Sequence, residues 1–417
     1  MAERKIFLPA TTAVFATVAL DMLSAGIIFP ILPKLIAQLG AASTSTTAFV
    51  LGLFGSSWML LQIVANPVQG WLSDRFGRKP VLAISNLGMG IDYVFMSLAP
   101  SLLWLGVGRL ISGFLAGSYS AASAYIIDVT PPAKRAANLG LLAAAFGLGY
   151  AIGPALGGAL GSGDVRLPFI AAAALSLANF LLCVIVLPES LPAQIRQHAA
   201  RASLGLFATS AQMFRNRPQL LGWASARFLQ HLAETASSGL LVIYTQHRFG
   251  WTPATVGFLL TFFGVTRLAS AAGAGTFVHW LGERRAMIAG FAAQVAGIIG
   301  NGLAGNGLQF AAFAMLIGIG TIGNAAQSAI IASQVDAARQ GWWAGLGGGI
   351  FSAAGFVGPM LFSAIFIATL SSPLLPQGTP FLAAACMSAL SLGLAMLLSR
   401  NPAALAADIP PVSQRAP

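Results

Sequence analysis

The sequence predicts an all-α membrane protein with twelve transmembrane helices in two pseudo-symmetric six-helix bundles. Its composition and an internal repeat predict this fold. Of the 417 residues, 57% are hydrophobic and only 8% are charged, and the mean hydropathy is +0.79. Because about a quarter of a soluble protein's surface residues are normally charged, so few charges cannot cover a soluble core.

Twelve apolar stretches are long enough to cross the hydrocarbon core of a bilayer as helices. No water satisfies backbone groups there, so each stretch is expected to be helical. The predicted spans are 7–29, 47–70, 80–99, 102–124, 137–161, 167–187, 219–246, 253–277, 284–303, 307–331, 341–366 and 378–399.

Two landmarks show that the chain is duplicated. Residues 70–80, GWLSDRFGRKP, have a diverged copy, GTFVHWLGERR, at 275–285, and Gly153-Pro154 is matched by Gly358-Pro359. Both pairs are 205 residues apart. The repeat predicts bundles at 1–187 and 219–399, a cytoplasmic linker at 188–218 and a disordered tail at 400–417, with substrate bound between the bundles.

The net charge of +11 is explained by membrane topology. Outside the spans, sixteen basic residues fall on one side of the membrane and only Lys34, Arg166 and Arg248 fall on the other. The positive-inside rule then places both termini in the cytoplasm. This distribution argues against a nucleic-acid site and predicts a chain whose macromolecular environment is the lipid bilayer.

The motif search argues against an enzyme. The sequence has no paired zinc-ligand spacing, no phosphate-binding loop and no nucleophile elbow. Its two cysteines, Cys183 and Cys386, lie within predicted spans, so no disulfide is expected. We expect no cofactor and no resident metal, and active transport would have to use an ion gradient.

Three charges lie inside spans of the first half. Each is costly to insert into the membrane and therefore suggests a functional role. Asp21, Asp92 and Arg109 share a level on the order of 11 Å below the outer interface, counted at the helical rise. Asp92 and Arg109 can pair directly, either as part of proton coupling or as a static ion pair that sets helix register. Asp21 is expected to face the cavity and exchange a proton.

Span seven carries the second charged cluster. Arg227, His231 and Glu234 are spaced by four and three residues and therefore share one helix face. Glu234 is the candidate acid of the second half, with His231 as proton carrier or hydrogen-bond donor. A purely structural cluster is the alternative.

A glycine-rich face marks span five. Gly149, Gly153 and Gly157 recur at every fourth position, with Pro154 and Gly158 beside them. Such a face lets another helix approach closely. It serves helix packing, or the contact between halves that opens and closes, and the two interpretations are compatible.

These features resemble the major facilitator superfamily over nearly the whole chain. The loop 70–80, residues 105–113 around Arg109, and GLGYAIGPALGG at 147–158 resemble its signatures, the last being associated with antiporters. Within the superfamily, further segments resemble the tetracycline–proton antiporters. They are LDMLSAGIIFPILPKL at 20–35, GIDY at 90–93, YIIDVT at 125–130, LPES at 187–190 and HRFGW at 247–251.

The resemblance also implies a gating role for the loop. In the family pattern Asp74 faces a helix N-terminus of the other half, and Arg78 meets Asp128 at the inner end of span four. These contacts would latch the outward-open state, unless the charges only anchor topology. The gating loop comprises Gly70, Asp74, Arg75, Gly77, Arg78 and Lys79, with Asp128 as partner.

One departure concerns the substrate. Metal–tetracycline antiporters carry an acid early in span nine, where this sequence has Gln294, and some carry a histidine in span eight, near Thr266. Glu234 stands where an amide is expected. Either the acid has moved to another helix or the substrate differs. Residues expected to line the substrate site are Gln62, Asn66, Gln230, Gln294, Gln327 and Phe262.

The sequence thus predicts a proton-coupled exporter of an amphiphilic drug-like compound in the bacterial inner membrane, acting as a monomer. Tetracycline as its magnesium chelate is the lead substrate by resemblance. The alternatives are a multidrug or metabolite exporter of unknown substrate and a proton-coupled uptake symporter. A non-transporting receptor would leave the intramembrane acids without a role.

Overall fold

The computed structural model describes residues 10–116, 118–191, 218–334 and 340–400, and this part of the chain is all helical. Helices lie at all twelve predicted spans. Spans one to six are Ala10–Ile28, Thr44–Phe76, Arg78–Ser97, Leu102–Leu115 with Ser118–Val129, Arg135–Leu160 and Leu167–Val186. Spans seven to twelve are Pro218–Thr235 continuing to Phe249, Pro253–Leu281, Glu283–Leu303, Gly307–Gly320 with Ile322–Gln334, Gln340–Ser371 and Thr379–Leu398.

Ten helices in the described ranges are long and apolar enough to cross a membrane. The other two predicted spans, three and seven, are also helical and carry intramembrane charges. Span seven contains a turn of π-helix at Ala236–Leu240, directly after the charged face. Short helices Leu32–Gln38 and Pro132–Lys134 lie in connections.

Spans four and ten are each interrupted near their middle. Span four breaks at Ala116, and span ten breaks at Thr321. The two spans occupy equivalent places in the two halves of the repeat. Interruption frees backbone groups in the middle of the membrane, and these groups need partners from other helices.

The two halves approach each other most closely through pseudo-symmetric helix pairs. Span five packs on span eight, and span two packs on span eleven. The close approaches are at Gly158 with Ala254, Ala151 with Gly264, and Gly52 with Ser363. All three lie in the half of the membrane-spanning region that is away from the loop 70–80, so the two bundles are closed together on that side.

Two predicted segments fall largely outside the described residues. Of the predicted linker at 188–218, the structure describes residues 188–191 and 218. Of the predicted tail at 400–417, it describes Arg400. The linker and tail therefore stay predictions.

Candidate functional site

The first functional group is the carboxylate of Asp21, which is 5% exposed in span one. The hydroxyl of Ser118 donates a hydrogen bond to it from the second segment of span four. That segment begins just after the interruption, so its positive helix end lies near the carboxylate. Sequence reasoning missed Ser118, because a serine in a small-residue run gives no signal until the helix break is known.

Side chains from spans two and three hold the interruption of span four. Gln62 Nε2 donates to the carbonyl oxygens of Gly113 and Ala116 at 3.1 and 3.0 Å. Gln69 and Ser85 donate to the backbone carbonyls of the two residues that lie between Gly113 and Ala116. Gln62, which we expected to contact substrate, is thus buried and satisfies the backbone freed by the break.

Asp92 and Arg109 do not form the direct pair that their depths suggested. Asp92 is 1% exposed, and neither carboxylate oxygen has a hydrogen-bond partner. One oxygen lies against the backbone of Gly108, whereas the guanidinium of Arg109 lies over the ring of Trp58, 5.9 Å from its centroid. The two side chains therefore form neither a hydrogen bond nor an ion pair with each other, although their charges interact at longer range.

The second functional group is Glu234 of span seven, and the structure brings together the cluster predicted around it. His231 Nδ1 lies 3.5 Å from one carboxylate oxygen, and Asn324 Nδ2 of span ten donates to the other at 2.9 Å. Arg227 extends to the hydroxyl of Ser328 at 3.3 Å. Each half therefore holds one carboxylate that is bonded by a neighbouring interrupted span.

Arg267 of span eight also belongs to this cluster. Its charge interacts with the carboxylate of Glu234 and with the hydroxyl of Tyr150 in span five of the other half. An arginine inside an apolar span was the available signal. The family resemblance places a histidine near Thr266, with Arg267 beside it, but does not indicate a role for the arginine.

Several predicted lining residues lie elsewhere. Gln230 donates to Gln294 and accepts from Ser388 at 3.1 Å, and both amides are buried between spans seven, nine and twelve. Gln327 is 1% exposed. Gln230 and Gln294 thus bridge helices of the second half, and none of the three amides lines an open cavity.

Two other predicted lining residues are less buried. Asn66 is half-buried. Phe262 is 63% exposed, beside the exposed Val265 on the outer side of span eight. Phe262 therefore faces lipid. The sequence could not show this, since an aromatic residue in a span gives no indication of which helix face it occupies.

The loop 70–80 is organised by Arg78. Its guanidinium bonds Asp74 at 2.5 Å and Asp128 at 3.0 Å, as well as the hydroxyl of Ser73. The carboxylate of Asp74, which we expected to face the other half, is engaged within its own half. The contact between Arg78 and Asp128 is the one that the sequence suggested.

Glu189 completes this region and was not among the predicted residues. Its carboxylate accepts the backbone N–H groups of Arg78 and Lys79 at 2.9 and 3.3 Å, at the start of span three. Gly77 precedes them with φ +108°, a conformation that favours glycine. The carboxylate thus caps the helix where its dipole favours an anion.

The remaining loop residues are held by simpler contacts. Lys79 Nζ donates to the carbonyl of Val184 at 2.8 Å, and the guanidinium of Arg75 lies 5.3 Å from the ring of Trp71. Gly70 has open space around it. These contacts tie the loop to span six and to its own helix.

The glycine face of span five packs on span one and also touches the other half, and its opening and closing stays a prediction. Gly149, Gly153 and Gly157 lie against the backbone of span one, and Gly158 lies against Pro253 of span eight. The backbone N–H of the residue after Pro154 donates to Thr261 of span eight. One helix thus connects Asp21's span to the other half.

Comparisons with known proteins agree with this architecture. The Major Facilitator Superfamily model matches residues 14–229. The class C tetracycline resistance protein of Escherichia coli is 34% identical over 87% of this chain and 91% of its own length. The class D protein of Salmonella ordonez is 31% identical over 96% and 99%.

The fold is that of solved transporters. The xylose transporter XylE from E. coli, in a partially occluded inward-open conformation, superposes with a TM-score of 0.69 at 16% identity, covering 92% of this chain and 96% of that one. The family match and the helical architecture describe a multi-pass transporter, not an enzyme. The chain belongs to the Major Facilitator Superfamily and is related within it to the bacterial tetracycline resistance proteins.

Proposed function

We propose that this protein is a proton-coupled antiporter of the bacterial inner membrane that exports an amphiphilic drug-like compound by alternating access. The observation that supports it most directly is the pair of carboxylates, Asp21 and Glu234, one in each half. Each is largely buried, and each is bonded by a side chain from an interrupted span, Ser118 or Asn324. Intramembrane acids with such partners are the usual elements of proton relays.

The packing supports a cycle in which the halves rock about the site. If the positive-inside rule sets the orientation, the closed end is periplasmic and this state is open to the cytoplasm. Substrate would then load from the cytoplasm while protons are released there. On closure of the cytoplasmic end, Asp74 would exchange its contact with Arg78 for one with the second half.

The lead substrate is tetracycline as its magnesium chelate. The support is the similarity to tetracycline resistance proteins, 34% over most of both chains for class C. A multidrug or metabolite exporter is the second candidate. It is favoured by Gln294, which replaces the acid of the family pattern and is fully buried against Gln230.

A pH-gradient assay in inverted membrane vesicles tests the proposal. Respiration acidifies the lumen, and tetracycline with magnesium is added outside. Antiport predicts collapse of the gradient for the wild type and none for Asp21→Asn. A symporter would acidify the lumen further. No response to tetracycline or to a wider drug panel, from vesicles containing folded protein, would contradict the proposal.

A further inference from the structure

Arg267 is a cation at the centre of a membrane span. It lies fourteen residues from each end of the helix Pro253–Leu281, about 21 Å along the helix axis. Its side chain is exposed, and it makes no hydrogen bond or ion pair with the residues that the structure describes. A charge at this depth is costly unless it faces a polar cavity or binds something there.

The neighbours of Arg267 show which way it points. Gly264 and Leu268 face span five, and Thr266 faces span ten, where its hydroxyl is 3.2 Å from the sulfur of Met315. The exposed lipid side, with Phe262, lies on the remaining face. At about 100° per residue, Arg267 lies between the directions of spans five and ten. This direction leads to the space between the two halves, away from lipid.

The surroundings leave the guanidinium available to a ligand. It lies 5.7 Å from the ring centroid of Phe263. Gly264 packs on Ala151 and Leu268 lies against Gly147, so Arg267 and Tyr150 are at the same level of the contact between spans eight and five. Glu234 accepts a hydrogen bond from an amide of span ten and lies 3.5 Å from His231, and it forms no ion pair with Arg267. The guanidinium donors are thus free to bind an acceptor from outside the chain.

A row of four aromatic rings, one of them Tyr150, lies on the other half. Phe29 and Tyr150 are 5.6 Å apart, Tyr150 and Phe146 are 6.5 Å apart and stacked, and Phe146 and Tyr119 are 5.3 Å apart. We call these four residues the aromatic row. On span five, the row lies opposite the exposed Ile152 and so faces away from lipid. Such rings accept a planar group by stacking or by edge contact.

We propose that Arg267 binds an acidic oxygen group of the substrate, a carboxylate or an enolate, while the substrate's planar ring system lies on the aromatic row. A guanidinium matches such an oxyanion with two parallel hydrogen bonds and binds it more specifically than an ammonium does. This inference rests on the proposed function and adds a substrate class to it, planar aromatic acids.

Two fluorescent probes with the same ring system test the proposal. One is 9-anthracenecarboxylate and the other is the uncharged 9-anthracenemethanol. Binding of each to the purified full-length protein in detergent is followed by fluorescence polarisation. We expect the wild type to prefer the carboxylate by about tenfold or more, as a charge-assisted hydrogen bond provides. Arg267→Gln should abolish this preference, and Arg267→Lys should retain part of it.

Two further variants separate charge recognition from folding and from ring binding. Arg285→Gln makes the same change in an exposed arginine outside the span interior and should leave both affinities unchanged. Tyr150→Ala should weaken both probes about equally, because it removes ring contacts. Gel filtration and the unfolding temperature verify that each variant is folded.

The outcomes are distinct. If folded Arg267→Gln keeps the preference, or if the wild type binds both probes equally or neither, the proposal is wrong. The pH-gradient assay on the same protein, reconstituted, reports separately on transport. A preserved charge preference without substrate-linked proton movement would refute the proposed antiport and leave binding at Arg267 standing.

Discussion

Ser118 donates a hydrogen bond to the carboxylate of Asp21 and so joins span one to span four at the point where span four is interrupted. The two residues are 97 positions apart in the sequence. Glu234 is related to Asn324 in a similar way, since span ten is also interrupted. Both halves thus use the same device: a break in one helix places a hydrogen-bond donor on a carboxylate of another.

The first prediction concerns this hydrogen bond. Asp21→Asn should reduce substrate-dependent proton movement to background, because an amide cannot take up and release the proton. Ser118→Ala should reduce the rate by roughly ten- to a hundredfold, since a hydrogen bond to a charged group contributes about 1.5–3 kcal/mol. The measurement is the initial rate of gradient collapse in inverted vesicles.

Ser123→Ala is the matched control for Ser118. The hydroxyl of Ser123 donates to the backbone carbonyl of Tyr119 in its own helix at 2.8 Å. Its removal should leave transport near the wild-type rate. Equal rates for Ser118→Ala and Ser123→Ala would show that the bond to Asp21 has no part in coupling.

The second prediction distinguishes two candidate positions for the acidic residue of the second half, 234 and 294. Glu234→Gln should abolish coupled proton movement while the protein stays folded, because Asn324 can still donate a hydrogen bond to an amide oxygen. Gln294→Glu, which restores the acid of the family pattern, should lower the unfolding temperature. It would place a carboxylate where the surroundings are fully buried and offer only Gln230 as partner.

Transport by Gln294→Glu is the informative readout for this pair. No gain in tetracycline transport is expected, since the side chain does not reach an open cavity. A stable Gln294→Glu protein with faster tetracycline transport would show that the acid of span nine, and not Glu234, is the position that matters.

Much of the fold could be predicted from the sequence, because a chain crossing a membrane must satisfy its backbone hydrogen bonds internally, which favours a helix. The twelve spans and the repeat follow from apolar length and from two landmarks at one offset. Two features of the site could also be predicted from the sequence: the contact of Arg78 with Asp128, and the shared helix face of His231 and Glu234. The first follows from a motif, and the second follows from helical spacing.

The side-chain partners within the site could not be predicted. No proline marks the helix break at Ala116. The sequence therefore could not predict the bond from Ser118 to Asp21 or the bonds from Gln62 to the freed carbonyls. Equal depth suggested that Asp92 and Arg109 pair. Depth alone does not fix rotation about a helix, and the two groups form no direct bond here.

The third prediction concerns Gly77 at the start of span three. Gly77→Ala should destabilise the protein by more than about 1–2 kcal/mol, because alanine is strained at φ +108° and its Cβ would overlap the carboxylate of Glu189. The unfolding temperature in detergent measures this. Gly70→Ala, in the same loop motif but with nothing within 4 Å, should be neutral or slightly stabilising. Equal unfolding temperatures for the two variants would contradict the assigned role of Gly77.

The fourth prediction tests whether the contact between spans five and eight opens during transport. A Cβ on Gly257 would overlap the carbonyl oxygen of Pro154 on the other half, whereas Gly273 in the same helix has nothing within 4 Å. Gly257→Ala should therefore keep this end from closing and slow transport strongly, while Gly273→Ala should transport normally. Both variants should remain folded, because the Gly257 contact lies between the bundles and a Cβ on Gly273 meets nothing.

Labelling of a cysteine in the interface measures the opening directly. Ala151 is 0% exposed and faces Gly264 across the contact, so a cysteine there reports closure. The native Cys183 and the exposed Cys386 are replaced first. A membrane-impermeant maleimide should then label the Ala151→Cys protein faster when Gly257 is alanine than when Gly273 is. If labelling and transport are the same in both, the span five and span eight contact is static packing, and the closing surface must be sought along spans two and eleven.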